Sequence, residues 1–74
     1  MKIKGYQFTD EHIAAGLAAM RGDFKARNVV SALWHAGVND WDAAYRGADS
    51  LLQKERKAGR IYAVNNRNWK RVEL

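Results

Sequence analysis

The sequence contains no cysteine, no proline and no apolar run approaching the ~20 residues that span a bilayer. The missing cysteine excludes disulfide bonds and thiolate metal ligands, and it fits a reducing compartment. Two lysines stand near the N-terminus without an apolar stretch of signal-peptide length behind them, so we expect a cytoplasmic location and no membrane partner. Because no Gly/Ser-rich linker or repeat interrupts the 74 residues, we expect one domain.

The residues that usually carry catalysis or bind metals are also sparse. His12 and His35 fall on different predicted helices and lack the spacing to an acidic residue that a metal site needs. Ser31 and Ser50 have no neighbouring base, and the sequence has no glycine-rich phosphate loop. We therefore expect a protein that is not an enzyme and that binds no cofactor or metal.

Positive charge is concentrated near the C-terminus. The net charge is +5 and the sequence pI is 9.9. From Lys54 to Arg71 there are seven basic residues against the single acidic Glu55, whereas the rest of the chain carries six basic and seven acidic residues. This distribution favours an anionic partner for the C-terminal segment, although runs of charge often serve only as a solvated face.

Apolar spacing predicts helices over residues 10–21 and 24–36 in the first half of the chain. Thr9 and Asp23 are the expected N-caps, and the glycines at positions 22 and 37 are the expected stops. The core of the first helix is expected at Ile13, Leu17 and Met20. That of the second is expected at Val29, Val30, Leu33 and Trp34.

A third helix is predicted over residues 40–58, capped by Asn39 or Asp40. Its expected apolar face is Trp41, Tyr45, Ala48 and Leu52, flanked by Ala44 and Leu51. Trp34 and Trp41 flank the short turn between the second and third helices, so we expect both in the core, fixing the helix crossing. The expected exposed face is Asp42, Arg46, Asp49, Ser50, Gln53 and Lys57.

The segments "RIYAV" and "NWKRV" predict a β-hairpin over about residues 60–72, turning at Asn65 and Asn66, which tolerate positive φ. Ile61, Trp69 and Val72 are expected to cover the core, and Arg67, Lys70 and Arg71 to project outward. Trp69 also has the chemistry to stack on a base, but capping a core this small is the favoured role. The N-terminal "KIKGYQF" is a candidate third strand for this hairpin.

The order of these elements resembles that of a winged helix-turn-helix domain. The resemblance is closest over residues 44–72, where "LLQKERKAGRI" runs from a recognition-type helix into a basic hairpin, the wing. It implies a mainly α fold with a small β-hairpin, in which the third helix enters the DNA major groove and the wing contacts the phosphates. The size of the chain is also similar to that of small DNA-binding regulators encoded by bacteriophages and mobile elements.

Carried onto this chain, the resemblance implies two groups of contacts with double-stranded DNA. The expected base-facing residues are Arg46, Gly47, Asp49, Ser50 and Gln53. The expected phosphate-facing residues are Lys57, Arg67, Lys70 and Arg71, joined by Lys54 and Arg60 from the same basic stretch. Asp42 and Asp49 oppose a polyanion, and they favour the alternative of a protein-interaction module whose basic wing binds an acidic protein partner.

Overall fold

The structure, a computed structural model, describes residues 1–72 and consists of three helices and a small antiparallel sheet, with a second short hairpin at the N-terminus. The helices are α1 (Asp10–Ala18), α2 (Ala26–His35) and α3 (Trp41–Lys57). The strands are β1 (Lys2–Ile3), β2 (Tyr6–Gln7), β3 (Asp23–Lys25), β4 (Ile61–Ala63) and β5 (Asn68–Arg71). No helix within the described range is long and apolar enough to cross a membrane.

Side-chain caps set where the helices begin. The Thr9 hydroxyl accepts a hydrogen bond from the His12 amide, and the His12 ring accepts one from the Thr9 amide, which closes a capping box on α1. The Asp40 carboxylate likewise accepts from the Ala43 amide at the start of α3. Thr9 is the predicted cap of α1, and Asp40 is one of the two candidates predicted for α3.

The start of α2 differs from the prediction, because residues 23–25 form strand β3 instead of the first turn of a helix. This strand pairs antiparallel with β5, with Phe24 opposite Trp69 and Lys25 opposite Asn68. Asp23 is therefore not the cap of α2. That helix begins after Lys25, whose amide donates to the side chain of Asn28.

Strand β5 is the centre of the sheet, with β3 on one side and β4 on the other. The expectation that "KIKGYQF" supplies the third strand is wrong: it forms a separate hairpin with Lys2 opposite Gln7. Lys4 and Gly5, both at positive φ, make its tight turn. The C-terminal hairpin uses no positive φ; its turn is held by the Asn65 side chain, which accepts from the amides of Arg67 and Asn68.

The core lies where all three helices meet under the sheet. Its buried members are Phe8, Met20, Phe24, Val29, Val30, Leu33, Val38, Ala43, Ala44, Ala48, Leu51, Leu52 and Ile61. Trp69 packs against this cluster from the sheet and is only partly buried, whereas Val72 is exposed, contrary to prediction.

Two tryptophans expected in the core lie outside it. Trp34 and Trp41 are exposed, as is Tyr45 on the next turn of α3. The buried face of α3 is centred instead on small residues, Ala43, Ala44, Gly47 and Ala48. Small side chains allow close approach of the neighbouring elements, and this close approach leaves no room for an indole.

Candidate nucleic-acid interface

Four of the five α3 residues expected to contact bases are exposed or half-buried, and two of these four already have partners. Arg46 Nε lies 2.8 Å from Oδ2 of Asp42, in an ion pair one helical turn apart. The Gln53 side-chain oxygen accepts from Arg56, at 3.1 Å from Nε and 2.9 Å from Nη2. Ser50 is half-buried. Base contacts by Arg46 or Gln53 therefore require these surface interactions to be exchanged.

Gly47 does not belong to this face. It is buried, and a Cβ added to it would lie 2.5 Å from Cε2 of the Phe8 ring. The prediction that Gly47 faces bases is wrong, because the N-terminal segment covers this side of α3. Asp49, in contrast, is exposed as predicted.

Arg60 is held at the base of the C-terminal hairpin. Its Nε donates to Oε2 of Glu55 at 2.7 Å, and the Glu55 side chain is buried. This hydrogen bond, with the charge attraction that accompanies it, raises the pKa of Arg60 above its ordinary value. One of the seven cations of the basic stretch is thus neutralised by the one acidic residue within it.

Arg71 also points back toward the body of the protein. Its Nη1 donates to the Met20 carbonyl at 3.2 Å, and the residue is half-buried rather than projecting outward. Arg21, Arg60 and Arg71 line one hollow between α1 and the base of the sheet. The hydrogen bonds of Arg60 and Arg71 tie the sheet to the helices.

The remaining cations of the basic stretch are exposed but lie on different elements. Lys54 and Lys57 belong to the last turns of α3, where positive charge interacts favourably with the negative end of the helix dipole. Lys70 lies on β5 between Asp23 and Tyr62 of the neighbouring strands, so these three side chains share one face of the sheet. Arg67 is in the turn of the hairpin.

Three cations from separate segments converge on one surface cleft, which we call the basic cleft. It is lined by Lys25, Ala26, Arg27, Tyr45, Asn66 and Arg67. The pairing of Lys25 with Asn68 brings the start of α2 beside the turn of the hairpin. The hydrogen bonds of Asn65 hold the Arg67 backbone in place, and Tyr45 contributes its side chain from α3.

Lys25 and Arg27 are absent from the sites predicted from the sequence. They stand outside the Lys54 to Arg71 stretch, in a part of the chain whose net charge is close to zero. Only the pairing of β3 with β5, about forty residues apart in sequence, places them beside Arg67. The only local sign of this pairing in the sequence is the polar–apolar–polar order of "DFK", which is compatible with a short strand.

Comparison of the chain with protein-family models, curated proteins and solved structures gives no match. Its function is therefore inferred from the geometry of its own residues.

Proposed function

We propose that this chain is a winged helix-turn-helix domain that binds double-stranded DNA and acts as a non-enzymatic regulator or accessory protein. The observation that carries the proposal is the basic cleft, where Lys25, Arg27 and Arg67 lie around Tyr45. The backbone at these three positions is held by strand pairing, by the start of α2 and by a hydrogen-bonded turn, and the exposed cations they carry suit a row of phosphates.

The start of α2 adds to this attraction. Arg27 is in the first turn of α2, where the free amide groups of the helix carry partial positive charge. No acidic residue stands in that first turn to offset it. A phosphate seated in the basic cleft would thus meet both the side-chain cations and the helix end.

The pairing of β3 with β5 also stabilises the C-terminal hairpin, which would contact a bound duplex. An isolated two-stranded hairpin is only marginally stable, whereas a third strand and packing against helices stabilise it. Here β3 flanks β5, and Trp69 packs on the core. Phosphate contacts made from this hairpin would hold α3 in a defined orientation to the duplex.

We expect α3 to discriminate only weakly between DNA base sequences. Asp42 and Asp49 place negative charge on its exposed face, and Arg46 is paired with Asp42. We therefore propose that phosphate contacts supply most of the affinity, with Arg46, Ser50 and Gln53 giving a modest base preference. Lys54, Lys57 and Lys70 would contribute longer-range attraction.

The alternative function is a protein-interaction module whose basic surface binds an acidic protein. The same cations would serve it, so the fold does not separate the two functions. Duplex DNA differs in its response to salt, since each neutralised phosphate adds about 0.9 to the log-log slope of affinity against salt. A protein partner should give a shallower dependence.

The test is binding to a fluorescently labelled mixed-sequence duplex at low salt, followed by anisotropy. Replacing Lys25, Arg27 and Arg67 together by glutamine should weaken binding to every duplex sequence. A matched control replaces Lys2, Lys4 and Arg21, which are exposed and lie outside the basic cleft, so that net charge falls equally. Equal loss in both variants, or no binding by the unaltered chain, would refute the proposal.

A further inference from the structure

A small pocket, which we call the apolar pocket, lies in the groove between α2 and α3. Its lining includes Arg27, Val30, Tyr45, Ala48, Asp49 and Leu52. Val30, Ala48 and Leu52 are almost fully buried, so they form its apolar floor. The α3 members follow one another at intervals of three and four residues, which places them on one face of the helix.

The apolar pocket opens directly into the basic cleft, because Arg27 and Tyr45 line both. The pocket has a volume of about 160 Å³ and the cleft one of about 470 Å³. Pockets that hold a whole drug-sized ligand measure about 300–1,000 Å³. The apolar pocket is therefore suited to one ring system, with the rest of the ligand in the basic cleft. Tyr45 is 52% exposed, so its ring is accessible to such a ligand.

The charged residues around Tyr45 are ordered in space. Lys25 and Arg67 line the basic cleft but not the apolar pocket, whereas Asp49 lines the apolar pocket but not the basic cleft. Arg27 lies between them and forms no ion pair with Asp49. The surface therefore presents cations, then an aromatic ring over an apolar floor, and then a carboxylate.

The Asp49 carboxylate is available to a ligand. It is exposed and makes no hydrogen bond or ion pair with any of residues 1–72. The nearby cation on the same helix, Arg46, is paired with Asp42 instead. An ionised carboxylate only accepts hydrogen bonds, so Asp49 suits a ligand that carries N–H donors on the side away from its anionic group.

A nucleotide presents these features in the same order, with an anionic phosphate, a flat base and N–H donors on the far edge of the base. We propose that the apolar pocket receives one unpaired base of a DNA strand whose phosphates lie in the basic cleft. The base would stack on Tyr45, and Asp49 would accept hydrogen bonds from its edge. This inference rests on the DNA-binding function proposed above and specifies which feature of DNA the site recognises.

The base has to be unpaired because both faces of a paired base are covered by its neighbours in the duplex. Taking a base out of the stack costs free energy, and the cost is least where the base is already unpaired. Proteins that hold unpaired strands combine a positively charged groove with aromatic rings on which the bases stack. The basic cleft and Tyr45 supply both, so a duplex with one extrahelical base should bind more tightly than a perfect duplex.

The carboxylate also predicts which base is preferred. Guanine carries N1–H and an amino group side by side, so it can donate to both oxygens of Asp49. Adenine and cytosine each offer an amino group. Thymine offers a single N3–H between two carbonyl oxygens, which a carboxylate repels. We therefore expect guanine to bind best and thymine least well.

The test compares a perfect duplex with four duplexes that differ from it only by one extrahelical guanine, adenine, cytosine or thymine. Anisotropy at one salt concentration should show the guanine duplex bound about tenfold more tightly than the perfect one. Tyr45→Ala should bring this ratio close to one, and Tyr45→Phe should preserve it. Tyr62→Ala, which removes an exposed aromatic from the sheet, is the matched control and should also preserve it.

Two further measurements separate stacking from readout of the base edge. The fluorescence of an extrahelical 2-aminopurine should be quenched by the unaltered chain and not by Tyr45→Ala. Asp49→Ala and Asp42→Ala each remove one exposed negative charge from α3, so both should strengthen binding to all the duplexes. Only Asp49→Ala should abolish the preference for guanine over thymine.

Equal affinity for the perfect and extrahelical duplexes would refute this inference and leave duplex binding intact. A preference for the extrahelical base that persists in Tyr45→Ala, or a base order that persists in Asp49→Ala, would also refute it. Free deoxyguanosine monophosphate bound as tightly as the guanine duplex would replace the DNA strand by a small nucleotide as the ligand. Absence of binding to any duplex would overturn both this inference and the proposed function.

Discussion

Replacing Gly47 by alanine should destabilise the protein, although helix propensity alone predicts the reverse. Gly47 lies in the interior of α3, where a Gly to Ala change normally gains about 1 kcal/mol. The added Cβ would lie 2.5 Å from Cε2 and 2.6 Å from Cζ of Phe8, and 3.2 Å from Cδ1 of Leu33. Both neighbours are almost fully buried, so the close contacts must be relieved by moving packed groups.

The size of the effect depends on what has to move. Inserting a methyl group into a packed core costs typically about 1–3 kcal/mol, and a buried phenyl ring held on the N-terminal segment belongs at the upper end of that range. After the propensity gain, we expect a net loss of about 1–2 kcal/mol. For a domain of this size that loss lowers Tm by roughly 5–15 °C.

Urea unfolding followed by circular dichroism measures this loss, and Gly16→Ala is its control. Gly16 is also inside a helix, but its added Cβ would meet the ends of two aliphatic side chains, Leu51 Cδ1 at 2.7 Å and Leu33 Cδ2 at 3.2 Å, instead of a rigid ring. Both leucines are buried, but an aliphatic end adjusts with less movement than a phenyl ring, so we expect Gly16→Ala to lose less stability than Gly47→Ala. Adding Phe8→Leu to Gly47→Ala should recover part of the loss. A Gly47→Ala protein as stable as the unaltered chain would refute the close packing of Phe8 on α3.

Three further predictions concern stability and the hairpin turn. Arg60→Gln should lower the urea midpoint more than Glu55→Gln does, because it leaves a buried carboxylate without its partner; the reverse order would contradict the role given to Arg60. Asn65→Ala should cost about 1 kcal/mol and weaken duplex binding, because two amides of the turn lose their acceptor; unchanged hydrogen exchange at Arg67 and Asn68 would count against it. Trp41→Ala should cost less than about 1 kcal/mol, whereas Leu33→Ala should cost about 2–5 kcal/mol in the same unfolding assay; similar losses would place Trp41 in the core.

Local signals in the sequence predict much of the helical part of the fold. Thr9 and Asp40 are caps whose chemistry is read directly from residue type and position, and both make the expected hydrogen bonds. Val29, Val30 and Leu33 follow the helical period and are buried. These features depend on neighbours within one or two helical turns, which is why the sequence contains them.

The features of the fold that local sequence patterns do not predict depend on contacts between residues far apart in the chain. Strand β3 alternates polar, apolar and polar residues over only three positions, which is too short for a clear signal, and its partner is β5 near the other end of the chain. For the same reason, the sequence does not predict that Lys25 and Arg27 lie beside Arg67. Helical periodicity predicts that Trp41 and Tyr45 lie on the buried face of α3, but both are exposed. The buried face is formed instead around Gly47 and the alanines of α3, whose close packing leaves no room for an indole ring.

The measurement that tests the central proposal most directly is the slope of log affinity against log salt for binding to a mixed-sequence duplex. If Lys25, Arg27 and Arg67 each neutralise a phosphate, replacing all three by glutamine should make the slope shallower by about 2–3. The control in which Lys2, Lys4 and Arg21 are replaced should keep a slope close to that of the unaltered chain. Identical slopes for the two variants would contradict the assignment of the basic cleft as the DNA-binding surface.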